Sequence, residues 1–105
     1  MDQEQAVRVA QEFALRARRR LWFERAVLFG SYAQGRAHET SDVDVGLILE
    51  RLDARVDYLN LLTDLYEIAG AVDPRIEPHL LVRSEDRSGF GAWVERTGIP
   101  LSTGP

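Results

Sequence analysis

Gly30-Ser31-Tyr32-Ala33-Gln34-Gly35, five residues from Arg36 to Thr40, then Ser41-Asp42-Val43-Asp44: the reading of the chain turns on this stretch. It follows Ala26-Val27-Leu28-Phe29, a short apolar run of the kind that forms a buried strand. Tyr32 to Ala37 is expected to open a short helix after that strand. Gly30 and Ser31 then set a flexible backbone, a hydroxyl and the free N–H groups of a helix start at one point, which suits an anion such as a phosphate. A serine in that place also serves as an ordinary N-cap. From Asp42 to Leu49 the residues alternate, so Asp42, Asp44, Gly46 and Ile48 face one way and Val43, Val45, Leu47 and Leu49 the other. That is a strand with two carboxylates on one face. Their repulsion is relieved by full solvation at a strand edge or by a cation, and Mg2+ takes a few carboxylates together with water and substrate phosphates.

Working outward, Val7, Ala10, Ala14, Ala17 and Leu21 recur at steps of three and four with Phe13 alongside, which predicts an amphipathic helix from Asp2 to Arg20. The arginines at its end, Arg16, Arg18, Arg19 and Arg20, complement the negative end of the helix dipole or form a docking patch. Beyond the aspartate strand, Asp53 is a candidate N-cap for a helix whose stripe is Val56, Leu59, Leu62, Leu65 and Ala69, with Gly70 as its stop. Arg75 to Val82 reads as a further strand, Glu77, His79 and Leu81 on one face and Ile76, Leu80 and Val82 on the other. Pro78 cannot donate to a ladder, which predicts an edge strand. If this strand neighbours the first, Glu77 meets the aspartates, and three carboxylates can hold two metal ions for phosphoryl displacement. His79 shares that face, either with the carboxylates or as an ordinary partly buried histidine. Ser84 is expected to cap a last helix bearing Phe90, Trp93 and Val94, ended by Gly98 and Pro100, with residues 99–105 as a flexible tail.

The composition bounds the rest. A chain of 105 residues, 45% hydrophobic and 29% charged, is the size of one globular domain, read here as spanning 1–105, with little room for a deep enclosed pocket. Without cysteine there are no disulfides, thiolate metal sites or cysteine nucleophiles. The polar, acidic start and the lack of a long apolar run predict a cytoplasmic protein with no membrane span. A net charge of −4, with every basic residue an arginine, argues against bulk nucleic-acid binding.

The run from Gly30 to Asp44 resembles the signature of the DNA polymerase β-type nucleotidyltransferase superfamily: Gly-Ser, about ten residues, Asp-x-Asp, and a third carboxylate on a later strand. More narrowly, Gly-Ser-x-Ala-x-Gly followed by Ser-Asp-x-Asp resembles the minimal nucleotidyltransferases, encoded beside HEPN-domain toxins. There an arginine commonly precedes the second glycine, where this chain has Gln34 and places Arg36 two residues on. The resemblance implies an α+β fold, a small mixed β-sheet with helices packed against it. It implies that Gly30 and Ser31 bind the nucleotide, that Asp42, Asp44 and Glu77 are catalytic and bind two Mg2+ ions, and that ATP donates AMP to a hydroxyl. With no extra domain for a small acceptor and no basic surface, the implied acceptor is a protein, the HEPN partner, which the chain would restrain as an antitoxin. Two other readings stay open: a non-catalytic module that neutralises its partner by occlusion, and a catalytic subunit that needs a separate substrate-binding chain.

Overall fold

The computed structural model describes residues 1–103. Helix α1 spans Gln3–Ala17 and starts as a capping box: the Asp2 carboxylate accepts the Gln5 N–H at 2.8 Å while the Gln5 side chain accepts the Asp2 N–H at 2.9 Å. Its buried stripe is Ala6, Ala10, Phe13, Ala14 and Ala17. Four alanines among five contacts let this helix lie close to the sheet, with Phe13 as the one large knob.

Among the described residues, four strands form one sheet in the order β3-β2-β1-β4. Strands β1 (Arg25–Phe29) and β2 (Val43–Leu49) are antiparallel, with Phe29 opposite Asp44. Helix α2 (Tyr58–Val72) then crosses over to β3 (Ile76–Val82), which runs parallel to β2. The sheet is mixed and the fold is α+β, as expected. Val43, Val45, Leu47 and Leu49 join α1 and α2 in the main core, along with Leu61 and Leu65. Truncating a fully buried leucine such as Leu65 to alanine costs about 2–5 kcal/mol. The opposite face is covered only in part, where Val94 of α3 (Phe90–Thr97) packs on Val27, Phe29 and Ile48.

Strand β3 lies at the sheet edge, as Pro78 demands. The Arg75 carbonyl accepts the Val43 N–H at 2.8 Å, so backbone parity turns residues 75, 77, 79 and 81 toward β2 and 76, 78, 80 and 82 toward the open side. The missing N–H of Pro78 therefore falls on the free edge, where it removes a donor that another strand would pair with.

Five local expectations are corrected. Tyr32 to Ala37 forms no helix: one turn closes with Gln34 N–H to Gly30 O at 3.1 Å and Arg36 N–H to Ser31 O at 2.9 Å, and Gly35, at φ 71°, bends the chain away. Asp57 rather than Asp53 caps α2, accepting the Asn60 N–H at 3.1 Å, while Asp53 closes its own turn onto Arg55. Gly70 does not stop α2, which runs on to Val72; Pro74 ends it by forcing Asp73 into extended backbone. Ser84 lies in a 3-10 turn, Arg83–Glu85, and the start of α3 is held by the Asp86 carboxylate, which accepts the N–H groups of Gly91 and Ala92 at 2.9 Å each. Residues Ile99–Leu101, expected in the tail, form β4 on the free side of β1, with Leu101 buried against the core. Gly104 and Pro105, the rest of that tail, lie outside the described residues.

Candidate active site

The parallel register of β2 and β3 builds the site. Asp44 stands directly across from Glu77, and Gly46 across from His79, so residues 33 positions apart in sequence share one patch of the less covered face. One ligand atom each from Asp44, Glu77 and His79 lie within 4.8 Å of one another, and His79 Nε2 is 3.1 Å from Asp44 Oδ1. Asp42 sits immediately before β2, more exposed, and its carboxyl is close enough to hydrogen-bond that of Glu77. The structure thus gathers Asp44, Glu77 and His79 in one cluster, with the exposed Asp42 beside Glu77 and outside that cluster.

Gly30 is shaped to this centre. Its φ of 79° is left-handed, and a Cβ added there would stand 2.4 Å from Asp44 Oδ2, so only glycine lets the turn lie against the carboxylate. Ser31 follows on the turn, half-buried, and the N–H groups of Ser31, Tyr32 and Ala33 precede the turn's first hydrogen bond at Gln34. The turn is anchored from behind: the Tyr32 ring is buried, and the Tyr32 carbonyl accepts the Gln3 side-chain amide at 2.8 Å. Ser41 locks the loop before Asp42, its Oγ accepting the His38 N–H at 2.9 Å while its own N–H returns to the His38 carbonyl. The Arg36 guanidinium bonds to the Gln34 side chain at the exposed end of the turn.

The electrostatics are those of a crowded anionic site. Burial pushes the Glu77 carboxyl above its ordinary range; the hydrogen bond to Asp42 and the charges of Asp44 and Asp42 push the same way, against His79. The Tyr66 phenol on α2 is pushed up as well, by burial first and then by Glu77, Asp42 and Asp44. Among the described residues no arginine bonds to any of these three carboxylates. A divalent cation fits this donor set: the 4.8 Å span of the cluster is close to the ligand shell of one Mg2+, about 4.2 Å across for oxygens at 2.1 Å. Because Mg2+ prefers oxygen, Asp44 and Glu77 are the natural ligands and His79 the group that orients Asp44.

The sequence that builds this site, a glycine turn against an aspartate with a glutamate across a parallel pair, also matches a family model. The model described as polymerase beta, nucleotidyltransferase, aligns with residues 18–97. The chain belongs to that family. No curated protein matches the chain significantly. Family membership makes nucleotidyl transfer the class of chemistry, and divalent metal its usual companion. Among the described residues no helix is long and apolar enough to cross a membrane.

One contact of the site was not assigned from sequence. His79 was placed on the right face, but its contact with Asp44 depends on the β2–β3 register.

Proposed function

We propose that this chain is a Mg2+-dependent nucleotidyltransferase that moves AMP from ATP to a hydroxyl of a protein acceptor, a HEPN-domain partner, which it thereby restrains as an antitoxin. The observation that carries the reading is the Asp44–Glu77 pair across β2 and β3 with Gly30 pressed against Asp44. Asp42, Asp44 and Glu77 would hold the metal, two ions in the fullest arrangement. When bound, the metal neutralises charge on the α-phosphate and the departing pyrophosphate.

The chain's own residues supply position. Gly30 and Ser31 offer backbone N–H groups and a hydroxyl to the triphosphate, His79 fixes the Asp44 carboxylate, and the turn holds its shape through Tyr32 and Ser41. In the transfer the acceptor oxygen forms a bond to the α-phosphorus as the bond to the β-phosphate oxygen breaks, and pyrophosphate leaves. The acceptor proton passes to Glu77, where that carboxylate acts as base rather than ligand, or to solvent. The net charge of −4 supports a protein acceptor over a nucleic acid.

The test mixes the purified chain with Mg-ATP and the HEPN protein encoded beside it, then weighs both intact. A gain of one or more AMP units on the partner, lost when Mg2+ is chelated, is expected. A stable complex with unchanged masses would overturn transfer in favour of occlusion.

A further inference from the structure

The open face of the sheet carries a row of rings that begins at the acidic centre. His79 meets Phe29 edge-on with centroids 4.8 Å apart, Phe29 meets Phe90 edge-on at 5.8 Å, and Phe90 meets Trp93 at 6.2 Å with the planes tilted by 31°. Phe29 is buried, whereas Phe90 and Trp93 are 46% and 39% exposed. Spaced three apart on α3, these two share one helix face. Single exposed aromatics are common and need no account. These are contiguous, through Phe29 and His79, with the carboxylates.

The backbone donors at the start of α3 are occupied. The Gly91 and Ala92 N–H groups at the start of α3 are already taken by Asp86, so this end of the helix presents rings rather than donors to an anion. A groove of about 840 Å³ has Phe90 in its wall together with Leu81 and Tyr58, with Arg83, Asp86 and Glu95 also lining it, so the ring borders a concave surface with room for a heterocycle. At the other end of the row, Gly30 and Ser31 offer donors and the carboxylates offer a metal site. Phosphates at one end and rings at the other match the two halves of a nucleotide.

We propose that Phe90, backed by Trp93, is the stacking platform for the base of the nucleotide donor. The proposal rests on the nucleotidyl-transfer reading above. Stacking uses the π-face that every base has, so the platform contributes affinity and orients the nucleoside rather than selecting one base sharply.

The test compares two probes, ATP and inorganic tripolyphosphate, by calorimetry on the whole chain with Mg2+. Phe90→Ala should weaken ATP by about five- to a hundred-fold, the range that one base–aromatic stack supports, and leave tripolyphosphate unchanged. Phe90→Tyr should retain ATP binding, and Phe90→Leu, which keeps apolar bulk without a ring, should not. Trp93→Ala should give a smaller loss in the same direction. Because Phe90 is half exposed, circular dichroism should show all four variants folded. An equal loss of both probes, or no loss of either, overturns the platform. ATP binding unchanged with loss of the acceptor protein alone overturns it in favour of partner docking. If the parent chain binds neither probe, the nucleotide reading itself fails and the platform falls with it.

Discussion

Strand β3 has a cluster of carboxylates at each end, and the two are opposites. Near its C-terminal end Arg83 bonds to Glu24 and to Glu95, lies 3.6 Å from Glu50, and Arg25 adds a second contact to Glu95 at 3.6 Å. Near its start Asp44 and Glu77 cluster with His79, Asp42 lies beside Glu77, and among the described residues no arginine bonds to them. The pKa directions follow: the hydrogen bond from Arg83 holds Glu95 below the ordinary carboxylate range, whereas burial drives Glu77 above it. One cluster carries its own cation and contributes to the fold. The other is short of positive charge, which is costly in the free protein and useful only if a cation and a polyphosphate arrive.

The largest effect that would break this comparison is on catalysis. Asp44→Asn keeps the size and the place against Gly30 but removes a charge, so transfer should fall by about a thousand-fold or more, the rate equivalent of the several kcal/mol a bound metal supplies. The fold should stand, with metal-free stability equal or slightly higher as repulsion eases. Asp42→Asn should behave alike. Pyrophosphate release and thermal unfolding, read on the same samples, check both. Near-parental transfer by both variants would break the metal assignment.

Gly30→Ala tests the steric side of the same centre. The added Cβ would meet Asp44 Oδ2 at 2.4 Å in a backbone conformation that alanine disfavours, so the variant should lose about 1–3 kcal/mol of stability and most Mg2+-dependent activity together. Gly35→Ala is its control, because its φ is also positive yet nothing lies within 4 Å. It should lose stability by about 1 kcal/mol with activity per folded molecule kept. Equal activity loss in both would show that the turn, not the contact with Asp44, is what matters.

At the other end of β3, Arg83→Met should lower stability by about 1 kcal/mol, since the pairs it breaks are only partly buried, and Mg2+ should not restore it. Activity per folded molecule should be unchanged.

Much of this was legible in the sequence because it depends on local pattern. The alternation from Asp42 to Leu49 and Pro78 as an edge marker follow from periodicity or from one missing donor. Of the expected helical stripe Leu65 and Ala69 are buried, whereas Val56 precedes α2, Leu59 is exposed and Leu61, outside the stripe, is buried. What failed was of two kinds. Competing caps four residues apart, Asp53 and Asp57, are equivalent by type, and only the Leu61 and Leu65 packing decides between them. The stub after Gly30 is cut short locally by the positive φ of Gly35, whereas the β4 pairing depends on a neighbour distant in the chain, the free side of β1, which recruits Ile99 and Leu101. The candidate site divides in the same way. Gly30, Ser31, Asp42 and Asp44 lie in one motif, whereas the place of Glu77 and His79 is fixed only by the parallel register.

The finest contrast between the two ends is in the pH dependence of stability, where the signs must differ. Glu95 has a folded-state pKa below its ordinary value of 4.5, so it contributes stability that is present above 4.5 and lost as pH falls through the lowered value. Glu77 has a folded-state pKa above 4.5; the native state then holds its proton more tightly than the unfolded chain, and stability is lost as pH rises from 4.5 through the raised value. In metal-free buffer Glu77→Gln should therefore match the parent in acid and exceed it progressively as pH rises past 4.5, levelling once the raised pKa is passed. Glu95→Gln should match the parent only in strong acid and fall below it as pH rises toward 4.5. Saturating Mg2+ should reverse the first difference, because the parent gains a bound ion through Glu77 that the glutamine variant holds less well, and should leave the second unchanged. Thermal unfolding at half-unit steps from pH 3 to 8 reads all four curves, on the order of a few degrees apart at most for about 1 kcal/mol. Curves of the same sign for Glu77 and Glu95, or a Glu77→Gln advantage that survives Mg2+, would remove the distinction between a cluster built to hold the fold and one built to wait for a cation.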